Sequence, residues 1–204
     1  MTMDASLAAV IVHDIKNALG VLEGQLQQMT VVQTTQDAQQ AYRSCVALRE
    51  RLVAFLTLYK ASSQGLNPRI VAASPEDFLR MVLRDHMTTR PELEIALDLS
   101  QAPLVGFFDE HLVGLALEAA LQNAARFART RIEIGCSGGA DAPLCYTVRD
   151  DGPGPGTVES VRSTGLGMEL CAAIAQAHRK GGASGSARLE SDPRGGALFM
   201  LQLP

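Results

Sequence analysis

Over the first sixty residues the apolar side chains recur at steps of three and four, and after Asn67-Pro68 that period stops. Leu7, Ile11, Ile15, Ala18, Leu22, Leu26 and Met29 make one stripe, and Ala41, Cys45, Leu48, Leu52, Phe55 and Tyr59 make a second. A stripe of this period is one face of an amphipathic helix. The spacing predicts helices over residues 5–31 and 36–61, joined by a polar, Thr-rich turn at 32–37. Two such helices form an antiparallel hairpin, which cannot cover both stripes by itself. Pairing with a second copy, as a homodimer with a four-helix bundle, would cover them.

The segment from Ala61 to Pro68 (Ala-Ser-Ser-Gln-Gly-Leu-Asn-Pro) has linker composition. Beyond it strands and helices alternate. Short or alternating apolar runs predict strands at 69–73, 93–99, 104–108, 131–136, 144–149, 187–191 and 197–203. Helices are predicted at 75–88, 110–127 and 167–178. Ser74-Pro75-Glu76-Asp77 has a capping Ser, a Pro at the first helical position and an acid at the third; Asp109 caps the next helix. Gly138-Gly139-Ala140-Asp141 and Pro193-Arg194-Gly195-Gly196 read as hairpin turns. The fold class is therefore α+β. A helical hairpin over residues 1–64 precedes an α/β sandwich over 65–204, with one mixed sheet and helices on one face.

Composition narrows the function. A net charge of −4 with dispersed Lys and Arg argues against nucleic acid as a partner. No apolar run reaches the roughly 18–20 residues that span a bilayer, and Met1-Thr2-Met3-Asp4 lacks the basic start of a signal peptide. The expectation is a cytoplasmic chain that does not enter a membrane. Cys45, Cys136, Cys145 and Cys171 have no metal-binding spacing and read as reduced, mostly buried thiols.

Three places carry candidate chemistry. His13 lies two residues from both Ile11 and Ile15, roughly 200° around a helix from each, so it points away from the apolar stripe. Asn17 follows one turn later, and Asp14 adjoins. An imidazole beside a carboxylate can act as a nucleophile; a solvated surface histidine is the alternative. In the helix at 110–127, Asn123 offers a hard oxygen ligand suited to Mg²⁺, and Arg126 could reach phosphate oxygens. A plain amphipathic helix is the alternative there. The third place is Asp150-Asp151-Gly152-Pro153-Gly154-Pro155, followed by Ser163-Thr164-Gly165-Leu166-Gly167 at the start of a helix. Glycines let backbone N–H groups approach phosphates, and a helix N-terminus favours anions. A buried aspartate beside them can accept a hydrogen bond from an adenine amino group. Two surface turns would be the plainer reading.

Taken together, these residues resemble the catalytic core of a bacterial sensor histidine kinase. His13-Asp14-Ile15-Lys16-Asn17-Ala18-Leu19-Gly20 is similar to the phospho-acceptor box, and Asn123-Ala124-Ala125-Arg126-Phe127-Ala128 to the asparagine box. Asp150 to Gly154 resembles the D-x-G-x-G box, and Thr164-Gly165-Leu166-Gly167 the second glycine box. The resemblance implies ATP bound in a Bergerat-type domain, with adenine on Asp150 and Mg²⁺ on Asn123. It implies attack by His13 with Asp14 as general base, then transfer to the receiver domain of a response regulator. Asn17 matches the position that orients water when such kinases dephosphorylate their regulators. The input would come from a separate sensor protein or from a sensor segment removed from this chain. The sequence departs from the family at Ala119, where a polar residue is common, and at Ser163, where glycine is usual. Only residues 155–164 separate the two glycine boxes, and Arg179-Lys180 is inserted before Gly181-Gly182. Two further readings suit the same residues: a histidine phosphotransfer protein with a degenerate ATP site, and a non-enzymatic ATP-sensing interaction module.

Overall fold

A computed structural model describes residues 5–31, 34–86, 93–139, 142–156 and 165–204. The chain divides into two compact units, Met1–Gly65 and Leu66–Pro204.

The first unit is a helical hairpin, α1 (Ala5–Met29) followed by α2 (Thr35–Ser63). Thr34 caps α2 by accepting the Asp37 N–H at 3.1 Å. Ile11 and Leu22 from α1, and Ala41, Ala54 and Leu58 from α2, are buried between the helices. The α2 stripe differs in phase from the one the sequence suggested. Cys45 is exposed, and Leu52 and Tyr59 keep 42% and 56% of their surface. Leu26 of α1 is likewise half exposed, whereas the neighbouring Gln25 turns its side-chain oxygen into a buried position without a hydrogen-bond partner. Apolar residues thus occupy two adjoining faces of each helix, and the hairpin buries one of them.

The second unit runs β1 (Val71–Ala73), α3 (Pro75–His86), β2 (Glu94–Gln101), β3 (Gly106–Phe108), α4 (Glu110–Phe127), β4 (Arg131–Gly139) and β5 (Ala142–Asp150). It continues with α5 (Leu166–Ala177), β6 (Arg179–Lys180), β7 (Ala183–Ser184), β8 (Ser186–Ser191) and β9 (Ala197–Leu203). The main sheet has the order β2-β4-β5-β9-β8, with β2 and β4 parallel and every other pair antiparallel. It is mixed, as the alternation of elements suggested. β1 and β3, however, pair only with each other, and β6 with β7 in a two-residue-per-strand hairpin that the sequence did not foreshadow.

Side chains alternate across the sheet. Ile132, Ile134 and Cys136 of β4, Leu144, Tyr146 and Val148 of β5, and Ala197, Phe199, Leu201 and Leu203 of β9 are buried. This face is covered by helices. α4 supplies Val113, Ala116, Leu117, Ala120, Leu121 and Ala124, and α5 supplies Leu166, Leu170, Cys171, Ile174 and Ala175. Phe78, Phe108 and Tyr146 meet edge to face at centroid distances of 5.0–5.7 Å, a favoured geometry for aromatic rings.

Candidate active site

Asp150 is the last residue of β5 and continues the alternation of Leu144, Tyr146 and Val148. Its carboxyl group therefore points to the helix-covered face, opposite Ile132 of β4, and only 6% of its surface is exposed. A carboxylate in such surroundings requires hydrogen-bond donors. Two backbone amides supply them to one oxygen: Gly152 N–H at 2.8 Å and Ala197 N–H at 3.4 Å. Burial pushes the carboxyl pKa up; the two amides oppose that, and the charges of Asp151 and Asp192 reinforce it. Among the described residues both of these donors meet the same oxygen, Oδ1.

The backbone around this carboxylate is crowded. A Cβ at Gly152 would lie 2.5 Å from the Phe127 carbonyl oxygen at the end of α4. A Cβ at Gly196, which has φ +89°, would overlap the Asp150 carbonyl oxygen. Both positions need glycine for the close approach. Gly154 adopts φ +84°, and Gly165, the N-cap of α5, adopts φ +70°.

Asp151 turns the other way. Its carboxylate accepts Arg129 N–H at 2.8 Å, Thr130 N–H at 3.1 Å and the Thr130 hydroxyl at 2.6 Å. The Thr130 hydroxyl, ahead of the backbone amides, holds its pKa well below the usual carboxylate range. The α4–β4 connection is thereby fastened to the end of β5. Beyond it, buried Asp192 pairs with Arg149 and accepts the Arg194 N–H at 2.8 Å, which sets the β8–β9 turn.

Asn123 sits half-buried in the penultimate turn of α4. Ala119 lies one turn earlier on the same face, and a Cβ at Gly167 would come 3.9 Å from its methyl group. The face of α4 that bears Asn123 therefore runs alongside the start of α5. Ala119 fills the place of the expected polar residue and lets Gly167 draw close. Leu166 is buried beneath the same helix start. Arg126 is exposed, with its guanidinium carbon 5.1 Å from the centre of the Phe127 ring. Thr164 lies outside the described residues, as does Ser163.

In the first unit His13 projects from α1 with 70% of its side chain exposed. Its Nδ1 is 3.7 Å from an Asp14 carboxylate oxygen and 3.2 Å from the Asn17 amide nitrogen. The Asn17 amide can only donate, so Nδ1 accepts from it and the proton of the neutral ring sits on Nε2, with the Asp14 carboxylate beyond hydrogen-bond distance.

Several contributors carry no side-chain signature in the sequence. The Ala197 amide acts through its backbone alone. Gly196 reads only as a turn residue until its packing against Asp150 is seen. His178 is 2% exposed and hydrogen-bonded through both ring nitrogens. Among the described residues no group of three or more His, Cys, Asp or Glu could hold a metal ion, and no helix is long and apolar enough to cross a membrane.

The histidine kinase-, DNA gyrase B- and HSP90-like ATPase family matches residues 108–204. The sensor protein KdpD of Escherichia coli is 28% identical over 98% of this chain, which spans 24% of KdpD's own length. The Acinetobacter baumannii histidine kinase AdeS has the same fold, with a TM-score of 0.72 at 18% identity, covering 94% of this chain and 96% of that one. The histidine kinase ThkA, solved in complex with the response regulator TrrA, gives a TM-score of 0.68 at 16% identity over 98% of this chain and 61% of that one.

Proposed function

We propose that the chain is the core of a sensor histidine kinase, which phosphorylates His13 from ATP and passes the phosphoryl group to a response-regulator aspartate. The observation that carries this reading is Asp150. It is a carboxylate set into the apolar face of a sheet, with two backbone amides on one oxygen; in this reading the other oxygen would accept from an adenine amino group. Gly165 and Gly167 then offer the backbone of a helix start to the phosphates. Asn123, on the adjoining face of α4, would hold Mg²⁺ through its side-chain oxygen, an ion that neutralises phosphate charge when bound.

In the transfer, His13 Nε2 attacks the γ-phosphorus. An N–P bond forms, the bond from the γ-phosphorus to the β,γ-bridging oxygen breaks, and ADP leaves with that electron pair. For Nε2 to attack, the ring must carry its proton on Nδ1, released from Asn17 and turned to Asp14, which acts as general base for that proton. The N–P bond then breaks as a receiver-domain carboxylate takes the phosphoryl group, and in a separate phosphatase activity Asn17 would orient a water that cleaves the regulator's acyl phosphate to inorganic phosphate and free carboxylate. The active species is a homodimer acting in the cytoplasm.

Incubation with γ-labelled ATP and Mg²⁺ tests this. The wild type should retain acid-labile label, and His13→Gln should fall to background while still binding nucleotide. A chain that binds no nucleotide, yet accepts phosphate on His13 from a phosphorylated regulator, would instead be a phosphotransfer protein.

A further inference from the structure

His178 ends α5 and is buried, yet the phosphotransfer chemistry has no use for it. Its Nδ1 lies 2.8 Å from the Ile174 carbonyl oxygen, and its Nε2 lies 3.1 Å from the Asp109 backbone nitrogen. A carbonyl only accepts and a backbone N–H only donates, so the two partners dictate the ring's state: neutral, with its one proton on Nδ1. Asp109 is itself the N-cap of α4. One of its carboxylate oxygens accepts Leu112 N–H at 2.9 Å, and the other accepts Arg69 N–H at 2.6 Å. The His178 carbonyl accepts Gly185 N–H at 3.0 Å. The ring itself joins the end of α5 to the start of α4, while the Asp109 carboxylate adds the chain approaching β1 and the His178 backbone carbonyl adds the residue that follows β7.

The two helices so joined carry the two halves of the nucleotide site. α4 bears Asn123 and α5 begins at Gly165-Leu166-Gly167. Halfway along, the Cys171 thiol donates to the Ala116 carbonyl at 3.4 Å, a weak sulfur contact. We infer that His178 is a positioning residue, a neutral imidazole clasp that sets α4 against α5 for nucleotide binding and opens when the ring is protonated. Protonation would place an N–H on Nε2 directly against the Asp109 N–H, turning a hydrogen bond into a repulsion. From α4, the Asp109 carboxylate lies nearest, with both oxygens occupied, while Glu110 and His111 are exposed. From β6, Arg179 turns its Nε to the Gln176 carbonyl at 3.2 Å, and Lys180 is exposed. Arg69 contributes its backbone N–H.

The inference rests on the reading that this unit binds ATP. Mg-ADP affinity of the full chain would be measured by calorimetry at pH 7.5 and 5.5 for the wild type, His178→Gln and an exposed control, His111→Gln. A glutamine can accept the Asp109 N–H and cannot charge. One hydrogen bond lost is worth about fivefold in affinity, so wild type and control should weaken by about fivefold more than His178→Gln over that range. Protonation of Asp150 affects all three alike. Amide exchange at Asp109 supplies the second reading: its protection factor in the wild type should fall between the two pH values. Identical pH profiles in wild type and variant, or unchanged protection at Asp109, would overturn the clasp. Should His178→Gln fail to fold, the exchange measurement on the wild type decides alone. Absence of nucleotide binding at either pH would refute the ATP reading, while exchange would still judge the clasp.

Discussion

Asp150 is held in the fold at a cost. Burial disfavours its charged form, so its folded pKa lies above the unfolded value. The folded state then binds the proton more tightly, and ligand-free stability declines as pH rises through the interval between the two values. Asp150→Asn removes that penalty. The ligand-free melting temperature should rise by a few degrees at pH 7.5 and differ little from wild type at acid pH, as differential scanning calorimetry would register. The same variant should bind ATP at least about tenfold more weakly, because a hydrogen bond to a charged acceptor contributes about 1.5–3 kcal/mol. A variant that is more stable and also retains affinity would mean that Asp150 does not meet the base. This residue was legible because period-two alternation from Tyr146 and Val148 already sets its side chain on the covered face. Its partners were not, since Ala197 and Gly196 act through backbone atoms that any sequence shares.

At the scale of elements, caps and turns decide where helices and strands stop. α4 begins and ends at the predicted residues, Glu110 and Phe127, because Asp109 caps it and its apolar stripe closes there. Ser74 likewise caps α3 by accepting Asp77 N–H at 3.2 Å. The phase of α2 was misread because both of its adjoining faces are apolar, and steps of three and four fit either one. β6 and β7 went unseen because two residues per strand carry no period; Gly181 and Gly182, with φ of +58° and +86°, shape their turn. Between α4 and β4 the connection depends on Asp151. Its folded pKa is depressed, so its contribution is complete above the unfolded carboxylate value and is lost as pH falls through the folded one. Asp151→Ala should cost about 1–2 kcal/mol in urea unfolding at pH 7, the scale of a few partly solvated hydrogen bonds. The difference from wild type should shrink below about pH 4, where the unfolded carboxylate takes up its proton. An undiminished gap at low pH would assign the loss to packing instead of charge.

At the scale of the whole molecule, the proposed homodimer turns on the hairpin's second apolar face. Leu52, Leu56 and Tyr59 on α2 lie at steps of four and three with 42%, 54% and 56% of their surface exposed, and Leu19 and Leu26 on α1 are exposed by 45% and 50%. In a four-helix bundle of two copies the exposed half of these side chains would be buried, each for about 1 kcal/mol. Leu56→Glu with Tyr59→Glu should convert a dimer to a monomer in sedimentation equilibrium while leaving the second unit's melting transition in place. A wild type that sediments as a monomer would remove the bundle. The sheet's pairing order was beyond the sequence, since alternation marks a buried face without saying which strand lies beside which.

That order has a consequence in time. β9 is inserted between β5 and β8, and the second amide on Asp150 comes from its first residue. At about 5–20 residues per second of synthesis, β5 waits several seconds for the neighbour that completes the sheet. Until then the carboxylate faces an unfinished wall, so under the proposed function a nascent chain would display its phospho-acceptor helix well before it could hold a nucleotide to charge it.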